Sequence, residues 1–153
     1  MSSAVTSRAE ATDLVATALL HRASRFTRLV MRQGPRELTR TEAGLLGTLA
    51  DGPRRITELA DSEALAQPSV TQLVDRLERR GLLARARSPH DGRVVLVSIS
   101  PDGLARLQVT RAANRILVRD AVEGLDDEEV IALAGATETL GRLIETLQCK
   151  AEG

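Results

Sequence analysis

The sequence predicts a mainly α chain with a minor β element, and three observations carry that prediction. Apolar residues recur at three- and four-residue steps over both ends of the chain, the period of one helix face. Residues 82–100 depart from it, turning to alternation and to β-branched residues on either side of a turn, as a hairpin does. Between the helical runs stand Gly34-Pro35, Asp51-Gly52-Pro53, Gly81 and Gly124, each of which stops a helix.

Leu14, Val15, Ala18, Leu19, Phe26, Leu29 and Val30 predict a first helix from about Thr12 to Gln33. Thr39 and Glu42 read as a capping box, in which each side chain serves the other's free amide. The helix they open carries Leu45, Leu46 and Leu49, and a short helix around Thr57–Asp61 follows with Leu59 and Ala60 on its buried side. The next helix is predicted over 68–80. Pro68 suits a first turn, where its missing amide hydrogen would have no partner. Val70, Leu73, Val74 and Leu77 stand at i, i+3, i+4 and i+7, which defines one buried stripe. Gly81 can take the left-handed terminating conformation. Ala66 has no capping oxygen, so Gln67 or the backbone must serve the free amides, at a cost of about 0.5–1 kcal/mol.

Leu83–Arg87 and Val94–Ser100 are the predicted strands, with Ser88-Pro89-His90-Asp91-Gly92 as hairpin tip, since those residues favour turns. Ser100-Pro101 opens a helix through Leu104, Leu107, Ile116, Leu117 and Val118 to about Glu123. Asp126 with Glu129 opens the last, whose stripe is Val130, Leu133, Leu140, Ile144 and Leu147. Three short helices followed by a β-hairpin make a winged helix-turn-helix, with the 68–80 helix in the recognition position. The expected organisation is a single domain over 1–153. Its winged lobe occupies 38–103, and N- and C-terminal dimerisation helices occupy 8–33 and 101–148. The apolar stripes of those helices are too extensive for so small a lobe to cover, and a second subunit is the natural cover. A monomeric helical bundle is the alternative.

Composition narrows the chemistry. With 153 residues, 42% hydrophobic and 27% charged, the chain is an ordinary globular domain. Phe26 is its sole aromatic residue, which excludes modules that stack bases on exposed rings. Cys149 is the only cysteine and His21 and His90 the only histidines, so no disulfide framework or metal site is expected within one chain. The sequence holds no phosphate-binding loop, no dinucleotide glycine fingerprint and no Gly-x-Ser-x-Gly, which argues against an enzyme or a bound cofactor. No apolar run reaches the roughly 18 residues of a membrane span. Glu10 and Asp13 interrupt the stretch where a secretory signal needs an apolar core, and a cytoplasmic location is expected. The net charge is zero but uneven: +2 over 1–53, +2 over 54–93 and −4 over 94–153. Binding to nucleic acid needs a local positive face and not a basic whole. Lys150 is the only lysine, so nearly every cation is a guanidinium suited to two-pronged phosphate or guanine contacts.

Particular residues carry a resemblance over Leu38 to about Gly103. They are Leu38-Thr39, Glu58-Leu59-Ala60, the run from Gln67 to Leu82 (QPSVTQLVDRLERRGL), Asp91-Gly92-Arg93, and Ile99-Ser100-Pro101-Asp102-Gly103. In that order and spacing the sequence resembles the MarR family of bacterial transcriptional regulators. It departs from the family pattern at Ala64 and Ala66, where glycine and a Ser or Thr cap are common, and at Ile99-Ser100 in place of Leu-Thr. The resemblance implies a homodimer that sets two recognition helices in successive major grooves of double-stranded DNA and two wings against flanking minor grooves. A pseudo-palindromic operator and repression are the modes it implies.

Residue chemistry agrees. Gln67, Pro68, Ser69, Thr71 and Gln72 lie near the start of the predicted recognition helix, where hydroxyls and amides can meet phosphates or base edges and the helix dipole attracts phosphate. Arg76, one turn on, can reach guanine or phosphate. For these side chains the alternative is a solvated helix face with Asp75–Arg79 and Glu78–Arg76 ion pairs. At the wing, Asp91 and Gly92 shape a tip that lets the backbone approach DNA closely, and Arg93 fits a narrow, negative minor groove. An Arg93–Asp91 ion pair is its other reading. Arg85 and Arg87 on the rising strand, with Arg54 and Arg55, are candidate phosphate contacts. The family resemblance also implies a crevice for a small aromatic or phenolic effector, for which His21, Arg25, Phe26 and Met31 are the candidates. Phe26 and Met31 read first as core, and His21 as a surface or satisfied core histidine. A winged helix turned to protein interaction or architectural binding is the competing function, and the polar outward face of residues 69–76 speaks against it.

Overall fold

The computed structural model describes residues 7–89 and 91–151, which form six helices and one two-stranded sheet. In chain order these are α1 (Arg8–Gln33), α2 (Arg40–Ala50), α3 (Ile56–Ser62), α4 (Gln67–Arg79), β1 (Leu83–Arg87), β2 (Val95–Ile99), α5 (Pro101–Val122) and α6 (Asp127–Ala151). The chain divides into two compact units, one up to Arg115 and one from Ile116 on.

Helix starts follow side-chain caps. α1 begins four residues before the expected Thr12 because Ser7 and Glu10 form a reciprocal box. The Glu10 amide donates to Ser7 Oγ at 3.2 Å and the Ser7 amide to Glu10 Oε2 at 2.8 Å. The predicted box at α2 is present, with the Thr39 amide donating to Glu42 Oε2 at 2.8 Å and the Glu42 amide to Thr39 Oγ1 at 3.3 Å. α3 has half a box: the Arg55 amide donates to Glu58 Oε2 at 2.7 Å, but a guanidinium has no acceptor with which to return the bond. Consequently α3 starts at Ile56, one residue before the expected Thr57. Likewise α4 starts at Gln67, and Pro68 is its second residue; Ala66 supplies no side-chain cap, only its carbonyl for the Ser69 and Val70 amides.

The core lies under the winged lobe. Leu45, Leu46 and Leu49 of α2, Leu59 and Ala60 of α3, the α4 stripe Val70, Leu73, Val74 and Leu77, and Leu82, Leu83 and Val97 of the wing base are all buried. Leu107 closes it from α5. Each fully buried Leu or Val contributes about 1.5–3 kcal/mol. β1 and β2 pair antiparallel from Leu83–Ile99 to Arg87–Val95. β2 is shorter than the expected Val94–Ser100 because both ends are used otherwise. The Val94 amide closes the tip on the Asp91 carbonyl, and Ser100 Oγ accepts from the Gly103 amide at 3.0 Å as the cap of α5. A second edge of β2 was not foreseen: Arg54 and Val97 exchange backbone bonds of 3.0 and 2.8 Å, fixing the wing to the segment ahead of α3.

Between α3 and α4 the turn passes through Ala64 at φ +51°, a conformation that costs a side-chain-bearing residue about 1–2 kcal/mol. Ala64 is exposed, so its methyl returns little packing. Ala64→Gly is expected to stabilise the lobe by about 0.5–1 kcal/mol, the strain relieved less the extra entropy glycine brings to the unfolded chain. A urea titration checks this, and a midpoint that stays put or falls would show the alanine to be unstrained.

From Ile116 on, the second unit holds the end of α5 and all of α6. Asp126 and Glu129 form the expected reciprocal cap, with bonds of 3.2 and 2.8 Å. Of the expected α6 stripe, Leu133, Ile144 and Leu147 are exposed and Val130 and Leu140 half-buried; Ile131, off the stripe, is exposed as well. In the first unit the same holds for α1, which buries no residue; Phe26, read as a possible core side chain, is 54% exposed. Among the described residues no helix is long and apolar enough to cross a membrane.

Candidate nucleic-acid interface

Burying one stripe of α4 dictates what the other side presents. With Val70, Leu73, Val74 and Leu77 in the core, Gln67, Pro68, Ser69, Gln72 and Arg76 are exposed and Thr71 is half-buried. Thr71 Oγ1 donates to the Gln67 carbonyl at 3.0 Å, and the oxygen keeps its capacity to accept a further hydrogen bond. Gln67, Ser69, Thr71, Gln72 and Arg76, with Asp75 among them, thus occupy the broad arc left outside the core on a 13-residue helix about 20 Å long, the size of a major-groove reader.

At the wing tip Asp91, Gly92 and Arg93 are all exposed. Asp91 Oδ1 accepts from the Arg93 amide at 2.9 Å, and Arg87 Nη1 donates to the Gly92 carbonyl at 3.1 Å. Asp91 therefore shapes the turn through the backbone, and the guanidinium of Arg93 has no ion-pair partner among the described residues. His90, the middle of the expected tip, lies outside the described residues.

Arg85 takes a different place from the one expected. Its guanidinium lies between two acids of α4, with Nη2 2.6 Å from Asp75 Oδ1 and Nη1 bonded to Glu78 Oε2. Partial burial by itself lowers the pKa of this guanidinium, but hydrogen bonds and charge from Asp75 and Glu78 outweigh it and raise the pKa above its ordinary value. The Asp75–Arg79 and Glu78–Arg76 pairs expected on a solvated helix face do not form. Instead the two acids brace α4 against β1, Arg79 Nε donates to the Asp75 carbonyl, and Arg76 turns toward Glu42 of α2 at 3.4 Å. Neighbours along one helix are fixed by spacing, whereas β1 meets α4 only through the return of the chain.

A crevice of about 580 Å³ opens between α1, α2 and α5. Of the four effector candidates only Met31 lines it; His21, Arg25 and Phe26 stand exposed elsewhere on α1. Sequence reading missed its polar residues. Thr110, 2% exposed, and Asn114 line it with Thr110 Oγ1 and Asn114 Oδ1 lacking any hydrogen-bond partner among the described residues. Arg40 and Arg111 add two cations, and Glu63, held by Thr48 Oγ1 at 3.0 Å, one acid. Unpartnered buried oxygens are uncommon in native proteins and mark where a ligand or an ordered water can bind.

The sequence model of the MarR family matches residues 37–94, the helix-turn-helix and most of the wing. A transcriptional regulator of Mycobacterium bovis, Mb0904, is 31% identical over 125 residues, 81% of this chain and 86% of that one. The chain belongs to the MarR family. Another relative, the repressor MdtR of Bacillus subtilis, is 27% identical over 95 residues; the match spans 62% of this chain and 61% of the length of MdtR. Among solved structures, that of Bordetella bronchiseptica BpsR, described for the regulation of its DNA binding by 6-hydroxynicotinic acid, superposes with a TM-score of 0.61 at 26% identity. That superposition covers 82% of this chain and 98% of BpsR. The matched segment holds α4 and β1, and within it the turn before α4 passes through Ala64 at positive φ and opens the helix at Ala66 without a side-chain cap.

Proposed function

We propose that this MarR-family chain is a sequence-specific regulator of transcription that binds double-stranded DNA as a homodimer and represses from a pseudo-palindromic operator. α4 reads the major groove through Gln67, Ser69, Thr71, Gln72 and Arg76, while the wing places Arg93 in the minor groove. Arg87 holds the tip, and Arg85 orients the wing against α4. The helical regions at 8–33 and 101–148 form the dimer contact, which covers the apolar stripes of α1 and α6. Release follows when a small aromatic carboxylate or phenolic anion enters the crevice of Met31, Thr110 and Asn114. Its carboxylate or phenolate oxygen meets Arg40 or Arg111, and the dimer shifts to a population with another spacing of α4 helices. The guanidinium of Arg93, without an ion-pair partner among the described residues and set on a hairpin beside a polar helix face, carries the reading. MdtR as a repressor and BpsR as a protein governed by an aromatic acid support repression and release. The site of action is the cytoplasm, on the nucleoid.

The test is enrichment of duplexes from a random or genomic pool by the purified protein, followed by a salt series on the selected duplex. Half-sites about 10–11 bp apart are expected. Arg93→Ala should weaken binding and reduce the salt slope by about one unit per subunit, because each phosphate neutralised contributes roughly 0.9. An unchanged slope removes Arg93 from the site, and a footprint on a single half-site removes the dimeric mode. Benzoate-class carboxylates added to the same complex should release the duplex, and retention with every member removes the effector.

A further inference from the structure

Glu42 is a buried carboxylate, with its side chain 5% exposed, and it serves more than the cap of α2. Oε2 accepts from the Thr39 amide, while Oε1 faces two guanidinium groups of the recognition-helix region. Arg80 is consumed there: Nη1 lies 2.8 Å from Glu42 Oε1, and Nη2 donates to the Glu37 carbonyl at 2.8 Å. Arg76 is not. Its nearest approach to Glu42 is through Nε at 3.4 Å, its side chain is 55% exposed, and no hydrogen bond among the described residues engages either Nη. The remaining Nη pair is the edge that makes two parallel bonds to guanine O6 and N7.

We infer that Glu42 is a positioning residue for base reading: from within the lobe it tethers Arg76 by Nε and presents its two Nη groups to the major groove. The inference rests on the DNA-reading role proposed above. An untethered arginine on a helix surface samples many rotamers and, as a mobile cation, attaches to any phosphate in reach; losing that freedom on binding costs about as much as a surface contact returns. Held through Nε, the same side chain gives up little on reaching a base and is kept from neighbouring phosphates. Specificity is then set by a residue that touches no DNA.

Glu42→Gln is the variant to test, because its amide oxygen can still accept from the Thr39 amide while the charge facing Arg76 is gone. The measurement is the ratio of binding to the selected operator over a scrambled duplex, with each base pair of the half-site permuted. Glu42→Gln is expected to lower that ratio about tenfold, the scale of part of one arginine–guanine contact. The loss should fall at the same base pair where Arg76→Ala loses discrimination, and scrambled-duplex affinity should rise. In the Arg76→Ala background Glu42→Gln should cost nothing further, which a general loosening of the lobe would not produce. If Glu42→Gln does not fold, Glu42→Asp keeps the charge but withdraws it by one methylene and should show the same positional loss. An unchanged permutation profile, a loss that adds fully to that of Arg76→Ala, or an Arg76→Ala that loses no discrimination overturns the inference. A wild-type protein that enriches no sequence overturns the DNA-reading role and this inference with it, whereas enrichment by wild type with an indifferent Glu42→Gln overturns the positioning alone.

Discussion

Gly103→Ala should destabilise the lobe by about 3 kcal/mol, near the top of the range for inserting one methyl group into a packed interior. Gly103 is buried in the first turn of α5, and a Cβ there would overlap the Leu82 carbonyl oxygen and press within 3.0 Å of Ile99 Cγ1. Neither side can yield cheaply. The Leu82 carbonyl accepts from the Ser100 amide at 3.1 Å, and Ser100 Oγ is committed both to the Gly81 carbonyl at 2.6 Å and to the Gly103 amide. Moving α5 outward would break this set and uncover Leu107, the one core residue α5 contributes. Urea unfolding followed by circular dichroism measures the loss directly. A change below about 1 kcal/mol would mean that the start of α5 slides on the wing base and that the close approach is not a constraint.

The contrast between that contact and the helix assignments explains what was readable in the sequence. Capping boxes, the α4 stripe and the glycine at Gly81 are local: each needs residues within about four positions, and the structure places them as read, with Gly81 at φ +71°. Even the misplaced start of α1 had a local signal in Ser7 and Glu10. Contacts that depend on chain return were not readable. Arg85 finds Asp75 and Glu78 only because β1 folds back along α4, and Arg54 pairs with Val97 from 43 residues away. The crevice draws on α1, α2 and α5 at once, so no single helix face announces Thr110 or Asn114. Periodicity also marks an apolar face without saying what covers it, which is why Phe26 could be read as core and yet stands half exposed.

That uncovered face leads to the other large effect. Leu14 and Leu147, each 59% exposed, belong to the apolar stripes of α1 and α6. Contiguous apolar surface of this kind on a small protein marks an interface, and a twofold interface buries every substituted position twice. On the proposed dimer, Leu14→Glu and Leu147→Glu should therefore each place two carboxylates in one desolvated contact and yield a monomer at micromolar concentration. Because neither helix holds a buried residue among those described, the core of the lobe and the α4 face should survive, and circular dichroism should stay helical. DNA affinity should nonetheless fall by about 10²–10⁴, since a monomer loses the effective concentration that links one half-site to the next. Light scattering paired with operator titration separates the outcomes. A monomer that still binds the whole operator tightly would show that one lobe suffices, and a dimer untouched by both substitutions would place the interface elsewhere.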